Sequence, residues 1–225
     1  VSGSDHFGAG AYYGSVAARA GMIGIATSNA FPKVAAHGGR TPVLGTNPFS
    51  IAFPSKDEPV LIDFSTAPVS GAAVRRAASG SPEVEPHLVA GEPASSPVMR
   101  ADGPKGFAMG LMVEILSGVL SGAGVATELG STVSDLTRPA NLGHFLMAID
   151  PARFVGEDAF KERLHSLVEL VRASLPALDG EEIRVPGDER HRVRRESLQQ
   201  GILLSRTDLI EVESLASRLQ VATPW

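Results

Sequence analysis

The chain has 225 residues, with 20 Lys plus Arg against 25 Asp plus Glu, for a formal net charge of -5 at pH 7. A chain of that length buries a sizeable core as one large domain or two small ones, without covalent staples. It holds no cysteine, which excludes disulfides, thiolate zinc sites, iron–sulfur clusters and a cysteine nucleophile, and its acidic balance argues against nucleic acid as a partner. Hydrophobic residues make up 43% and charged residues 20%, the proportions of an ordinary globular protein. No apolar run approaches the ~20 residues of a membrane span, so a soluble, cytoplasmic protein is expected. The chain opens on Val1, and residues 1–13 show neither a basic nor a long apolar region. That start does not read as a targeting peptide; it reads as the middle of something longer.

In chain order, Tyr12, Val16, Ala17 and Ala20 recur at helical spacing before Gly21, which predicts a helix with a glycine C-cap. Met22 to Thr27 is a short apolar run predicted as a buried strand, and Pro48 to Phe53 and Val60 to Phe64 are predicted as two more. Between the first two strands, Ala36 to Pro42 has turn chemistry. The stretch from Ser79 to Pro104 has no sustained period and is predicted as a loop or linker. Lys105 to Leu120 carries the strongest helical pattern, with Met109, Met112, Val113, Leu116, Val119 and Leu120 three and four apart. Gly106, Gly110, Gly118 and Gly122 fall within or just after it; a helix-interior glycine costs roughly 0.5–1 kcal/mol against alanine, so close backbone approach is the natural explanation. Gly143 to Ile149 is predicted as a strand, and helices are predicted over Phe160 to Leu175, Asp188 to Gln200 and Thr207 to Leu219. No repeat is visible. The alternation of short strands and helices places the chain in the α/β or α+β classes.

Several segments could carry chemistry. Ser4-Asp5-His6-Phe7-Gly8 sets an imidazole among an acid, an aromatic and a glycine, and histidine exchanges protons near neutrality; the plainer reading is a histidine satisfied in a turn. Gly8, Gly10 and Gly14 do not make a Rossmann turn, because the third glycine is a residue late, no strand precedes them and Asn29 is not acidic. Helix packing explains them more simply. The run from Gly38 to Pro48 offers glycines for backbone approach and Thr46 and Asn47 for hydrogen bonds. Ile62-Asp63-Phe64-Ser65-Thr66 ends a strand with a carboxylate and two hydroxyls, where ligand contacts commonly sit. Gly103-Pro104-Lys105-Gly106 puts a lysine at a helix start. There it opposes the macrodipole, so it either serves an anion drawn to the same terminus or stands solvated. Asp188 is a natural N-cap, and the arginines at 190, 192, 194 and 195 read as a solvated face or, less simply, as a phosphate grip.

Taken together, Ser4-Asp5-His6-Phe7-Gly8, Tyr12-Tyr13, Gly38-Gly39, Leu44-Gly45-Thr46-Asn47-Pro48, Ile62-Asp63-Phe64-Ser65-Thr66, Gly103-Pro104-Lys105-Gly106-Phe107-Ala108, Gly143-His144-Phe145, Ile149-Asp150-Pro151 and Val185-Pro186-Gly187-Asp188 resemble the type-2 malate/L-lactate dehydrogenase family. That family includes ureidoglycolate and L-sulfolactate dehydrogenases, diketogulonate reductase and cyclic-imine reductases. The resemblance implies an oxidoreductase using NAD or NADP on a small 2-hydroxy acid, or on the matching keto acid or imine. It also implies a non-Rossmann cofactor domain with a mixed, largely antiparallel sheet flanked by helices, and a homodimer. His6 would accept the hydroxyl proton, while Ala30, Asp63, Phe64, Ser65, Lys105, Gly187, Asp188 and Glu189 would contact the cofactor, with no metal. Ala30 stands where many relatives carry a serine. By the same resemblance, residues 1–12 are the remnant of a substrate and dimerisation domain, 13–178 the cofactor domain and 179–225 a helical C-terminal segment. Relatives carry a further N-terminal segment with a second histidine and an arginine for the substrate carboxylate, so the chain is expected to be N-terminally incomplete. The stretch from Arg76 to Met99 is shorter than the family pattern and lacks its tryptophan. A truncated, non-catalytic dimerising module is the alternative reading.

Overall fold

Small residues decide how the first helix meets the sheet. A computed structural model of the chain describes residues 1–68, 89–90, 98–99, 102–131, 137–178 and 180–223. Helix α1 (Gly10–Arg19) leads through Gly21, at φ +82°, into β1 (Ile23–Ser28). A Cβ on Gly24 of β1 would sit 2.6 Å from the Gly14 carbonyl oxygen, and one on Gly10 would sit 2.9 Å from Ser50 Cβ. The helix therefore lies almost backbone to backbone on the sheet, a distance only glycine permits. Ala18, Ala52 and Leu61 form the small core between them.

Next come β2 (Val34–Ala35), β3 (Pro42–Leu44), β4 (Phe49–Phe53) and β5 (Val60–Phe64). The backbones of β6 (Val89–Ala90) and β7 (Val98–Met99) follow, and β8 (His144–Ile149) comes later in the chain. One sheet has the order β5-β4-β1-β8 and is antiparallel throughout, with Ala26 of β1 facing Ser50 on one side and Leu146 on the other. The other has the order β3-β2-β7-β6, with β2 and β7 parallel. This is the mixed, largely antiparallel α/β arrangement expected. The strands β1, β4, β5 and β8 match the sequence reading closely. The strands β2 and β3 were not expected, because two or three residues beside turn-forming Gly38 and Gly39 are too few to write an alternation. Most of the expected 79–104 loop, and of the shortened 76–99 stretch, lies outside the described residues.

The strongest helical pattern departs from one continuous α-helix. Helix α2 (Gly103–Glu114) passes into a π-helical turn at Ile115–Val119, with Leu120 N–H donating to the Ile115 carbonyl at 2.8 Å. The extra residue in that turn brings Ser117 Oγ to 2.7 Å from Thr27 Oγ1 and presses Gly118 against Asn29, where a Cβ would stand 2.9 Å from Asn29 Nδ2. Periodicity cannot show such a bulge, since the packing and not the pattern demands it. Close approach accounts for Gly110 and Gly118, whereas Gly122 has open space at its Cβ and a φ of +71°. After β8, α3 (Glu157–Arg172) is tied to the β4–β5 turn by a Lys56–Glu162 ion pair of 2.5 Å.

The chain forms two compact units, Val1–Gly187 and Asp188–Trp225. The second unit holds α4 (Asp188–Gln200) and α5 (Arg206–Leu219), the latter opened by a Ser205–Asp208 capping box. Among the described residues no helix is long and apolar enough to cross a membrane.

Candidate active site

The loops after β1 and before β4 are drawn together by buried amides. Asn47 holds a left-handed backbone, φ +35°, and is fully buried. Its Nδ2 donates to Glu114 Oε2 at 2.7 Å and to the Gly110 carbonyl at 2.9 Å, while its Oδ1 accepts the Ala30 N–H at 3.1 Å. Glu114, also buried, accepts the Ala126 N–H at 2.9 Å through its other oxygen. One carboxylate and one amide thus bind three segments and the middle of α2, and they do so without an unpaired partner, which buried polar groups require. Asn29 repeats the device, donating to the Gly124 carbonyl and accepting the Gly143 N–H, each at 2.8 Å. The Ala30 N–H is committed to Asn47, and its carbonyl faces Gly45, whose Cβ would fall 2.1 Å from that oxygen.

The end of β5 and the start of α2 meet beside this network. Ser65 Oγ donates to the Thr46 carbonyl at 3.0 Å and accepts the Ala67 N–H, and Thr66 N–H donates to the same carbonyl. Gly106 of α2 rests on Thr66, where a Cβ would come within 3.1 Å of its carbonyl oxygen. Asp63 lies beside the first turn of α1, its Oδ1 3.3 Å from where a Gly10 Cβ would be, and Phe64 is partly exposed against Phe49 at 5.9 Å. The structure therefore gathers Asp63, Phe64, Ser65 and Lys105 around one strand end, with Ala30 in the adjoining network. The N-cap of α2, Asp102, makes no side-chain cap, no acid sits in the first turn, and Lys105 is exposed. Uncapped N–H groups, a helix dipole and a lysine suit a phosphate group, so these residues fit a dinucleotide's phosphates.

His6 stands on a different wall. The first residues pair with the segment before β8, Ser4 N–H donating to the Leu142 carbonyl at 2.9 Å and Leu142 N–H returning to Ser4 at 2.8 Å. Phe7 is sandwiched between Tyr13 (5.1 Å, 9°) and His144 (4.7 Å, 6°), and Tyr13 Oη donates to the Phe7 carbonyl. His6 itself is exposed and lines an open cavity of about 630 Å³ with Asp5, Ser131, Thr137 and Arg138. Its Nδ1 accepts the Gly8 N–H at 3.0 Å.

His144 is the buried counterpart. Ser28 Oγ lies 2.8 Å from the Asn29 carbonyl and 3.0 Å from His144 Nδ1, within hydrogen-bond reach of both. Among the described residues His144 Nε2 is buried and meets no hydrogen-bond partner. Burial first, and also His6, push the His144 pKa below its usual value, against an opposing pull from the Asp5 backbone.

Gly187 ends the first unit in a left-handed conformation, φ +108°, one residue after Pro186, whose carbonyl accepts the Leu61 N–H of β5 at 3.1 Å. Asp188 and Glu189 open the second unit, where Glu189 pairs with Arg192. Arg192 also pairs with Glu196 at 2.7 Å, and its pKa is raised, chiefly by its hydrogen bonds to Glu189 and then Glu196. The solvated-face reading thus holds at Arg192. Arg138, missed in the sequence, joins the His6 cavity only through the 142-to-4 strand pairing, a long-range contact that no local pattern announces. Among the described residues no group of three or more His, Asp and Glu could hold a metal ion.

A family model described as malate/L-lactate dehydrogenase matches residues 1–213. The malate/(S)-sulfolactate dehydrogenase of Methanothermus fervidus is 31% identical over 238 aligned positions, covering 100% of this chain and 68% of its own length. The sulfolactate dehydrogenase of Chromohalobacter salexigens named for NADP(+) is 31% identical over 87% of this chain and 60% of its own. The solved malate dehydrogenase of Pyrococcus horikoshii OT3 superposes with a TM-score of 0.84 at 31% identity, over 97% of this chain and 64% of its own. The chain thus spans roughly two thirds or less of these relatives. With the ordered motifs, the antiparallel sheet and the family match in agreement, the chain belongs to the malate/L-lactate dehydrogenase family.

Proposed function

We propose that the chain carries the cofactor-binding and proton-transfer parts of an oxidoreductase that uses NAD or NADP to interconvert a small 2-hydroxy acid, malate- or lactate-like, with its 2-keto acid, or to reduce the corresponding imine to its amine. The observation that carries this reading is the position of His6, the histidine of the family's HFG motif, on the wall of an open cavity. Asp63, Phe64, Ser65 and Lys105 would hold the cofactor, with Gly187, Asp188 and Glu189 as its last protein contact and the Ala30 carbonyl in place of a serine hydroxyl. When bound, the nicotinamide supplies the partner for hydride exchange at the substrate's C2.

The chain's own residues handle the proton. To take the hydroxyl proton at Nε2, His6 must carry its ring proton on Nδ1, and that form cannot accept the Gly8 N–H. The Gly8 contact is therefore a resting-state bond that opens as the imidazole engages substrate. Gly8, at φ +81° with nothing within 4 Å of its Cβ position, leaves the turn room to do so. The Phe7 stack holds the arm while this happens.

Residues 1–12 as a remnant of the substrate domain, 13–178 as the cofactor domain and 179–225 as a helical segment remain the division this reading uses. A homodimer is supported by apolar side chains left exposed on the edge strand β8 and the π turn, Leu146 at 49% and Val119 at 63%, since such surfaces mark association sites. A cytoplasmic location goes with the nicotinamide pool.

His6→Ala tests the reading. Turnover of the 2-keto acid should fall about 10²–10⁴-fold, while NADH or NADPH binding, followed by fluorescence, stays intact. Unchanged turnover removes His6 from the mechanism, and cofactor binding without any turnover in the parent protein leaves the non-catalytic module.

A further inference from the structure

Among the described residues that line the His6 cavity there is one guanidinium, and the proton transfer at His6 does not employ it. Arg138 comes from the segment before β8 and reaches this cavity because Ser4 and Leu142 pair across two hydrogen bonds. Its side chain is exposed, and among the described residues its hydrogen bonding is confined to a long 3.5 Å contact from Nη2 to the Glu128 carbonyl. No ion pair between Arg138 and a described residue is present, Asp5 on the same cavity included. A guanidinium offers five donors in a planar fork, so four of them are left for a ligand. Among the described residues that line the cavity the one carboxylate is Asp5, the chain neighbour of His6. It repels an anion at its own position and leaves Arg138 as the cationic destination. A volume of about 630 Å³ holds a three- or four-carbon acid with room for water.

We propose that Arg138 is a substrate-positioning residue: its guanidinium receives an acid group of the substrate and so sets the distance from that group to the oxygen served by His6. This rests on the oxidoreductase reading and deepens it, because it makes the anionic group a requirement of this cavity. It also gives Arg138 a role in specificity, since a bidentate fork discriminates a carboxylate from an amide of the same shape.

The test uses a four-carbon 2-hydroxy diacid and its two monoamides, one neutralised at C1 and one at the far carboxyl, with the parent protein, Arg138→Gln and Arg138→Lys. Arg138→Gln is expected to lower kcat/KM for the diacid roughly 10- to 100-fold, the worth of a charge-assisted pair, mainly through KM. On one of the two monoamides that loss should vanish, which identifies the bound group, and Arg138→Lys should restore part of the activity on the diacid. An equal loss on all three substrates, or no loss on any, overturns the proposal while the parent's turnover keeps the oxidoreductase reading standing. A parent protein that binds cofactor and turns over none of the three overturns that reading, and the proposal with it.

Discussion

The cofactor wall and the His6 wall are held by different means. On the first, Asn29, Asn47 and Glu114 are buried, their side-chain hydrogen bonds run to neighbouring segments, and glycines let backbone touch backbone. On the second, His6 and Asp5 are exposed, and the arm that carries them rests on two pairs of backbone bonds, Val1 with His144 and Ser4 with Leu142, on the Tyr13 bond to the Phe7 carbonyl and on the Phe7 stack. A wall fixed by burial transmits any change as lost stability. One fixed by a few contacts tolerates change in the fold and registers it in turnover.

The sharpest way to break that contrast is at glycine. A Cβ on Gly143 would stand 1.8 Å from the Ser117 carbonyl oxygen, so Gly143→Ala must push the π turn off β8, and its cost should reach or exceed about 3 kcal/mol. Gly3, on the other wall, has nothing within 4 Å of its Cβ and a φ of +63°; Gly3→Ala should cost only the left-handed strain, roughly 1–2 kcal/mol. Urea unfolding of both measures the difference, and equal costs would mean that the two walls are not differently built. Asn47→Ala comes next in size. It strips an acceptor from Ala30 N–H and a donor from Glu114, and should cost about 2–4 kcal/mol while weakening cofactor binding more than His6→Ala does. A stable Asn47→Ala protein with parental cofactor affinity would show that the amide network does not position the Ala30 loop.

The same contrast explains what could be read in advance. The strands β1, β4, β5 and β8 and the helices α1, α4 and α5 announce themselves by period and punctuation, since their faces differ in burial over several residues. The candidate residues were legible as motifs, because Asp63 to Thr66 and Gly103 to Gly106 carry their chemistry in consecutive positions. What stayed hidden depends on distant contacts. The π turn exists for Thr27, Asn29 and Gly143, the role of Glu114 appears only when Asn47 and Ala126 are placed against it, and Arg138 needs the strand pairing to meet His6. Glu114 reads in the sequence as a polar interruption of an apolar helix. In the structure it is what holds three loops together.

His144 joins the two walls, and its titration gives the smallest of these effects. Its Nδ1 belongs to the buried network through Ser28, and its ring face supports Phe7 of the exposed arm. The folded pKa lies below 6.5, first because burial disfavours the charged ring. The unfolded chain therefore takes up a proton that the folded chain resists, so this contribution to stability is complete above about pH 6.5 and is lost as pH falls toward the folded value. The urea midpoint of the parent protein should drop between about pH 7.5 and about pH 5.5, and His144→Gln, which cannot titrate, should drop less even though it is less stable at both. Parallel curves for the two proteins would assign the acid sensitivity elsewhere and leave His144 as a stacking partner alone. A shallower curve for His144→Gln would show that the folded arm depends on a neutral imidazole at its base.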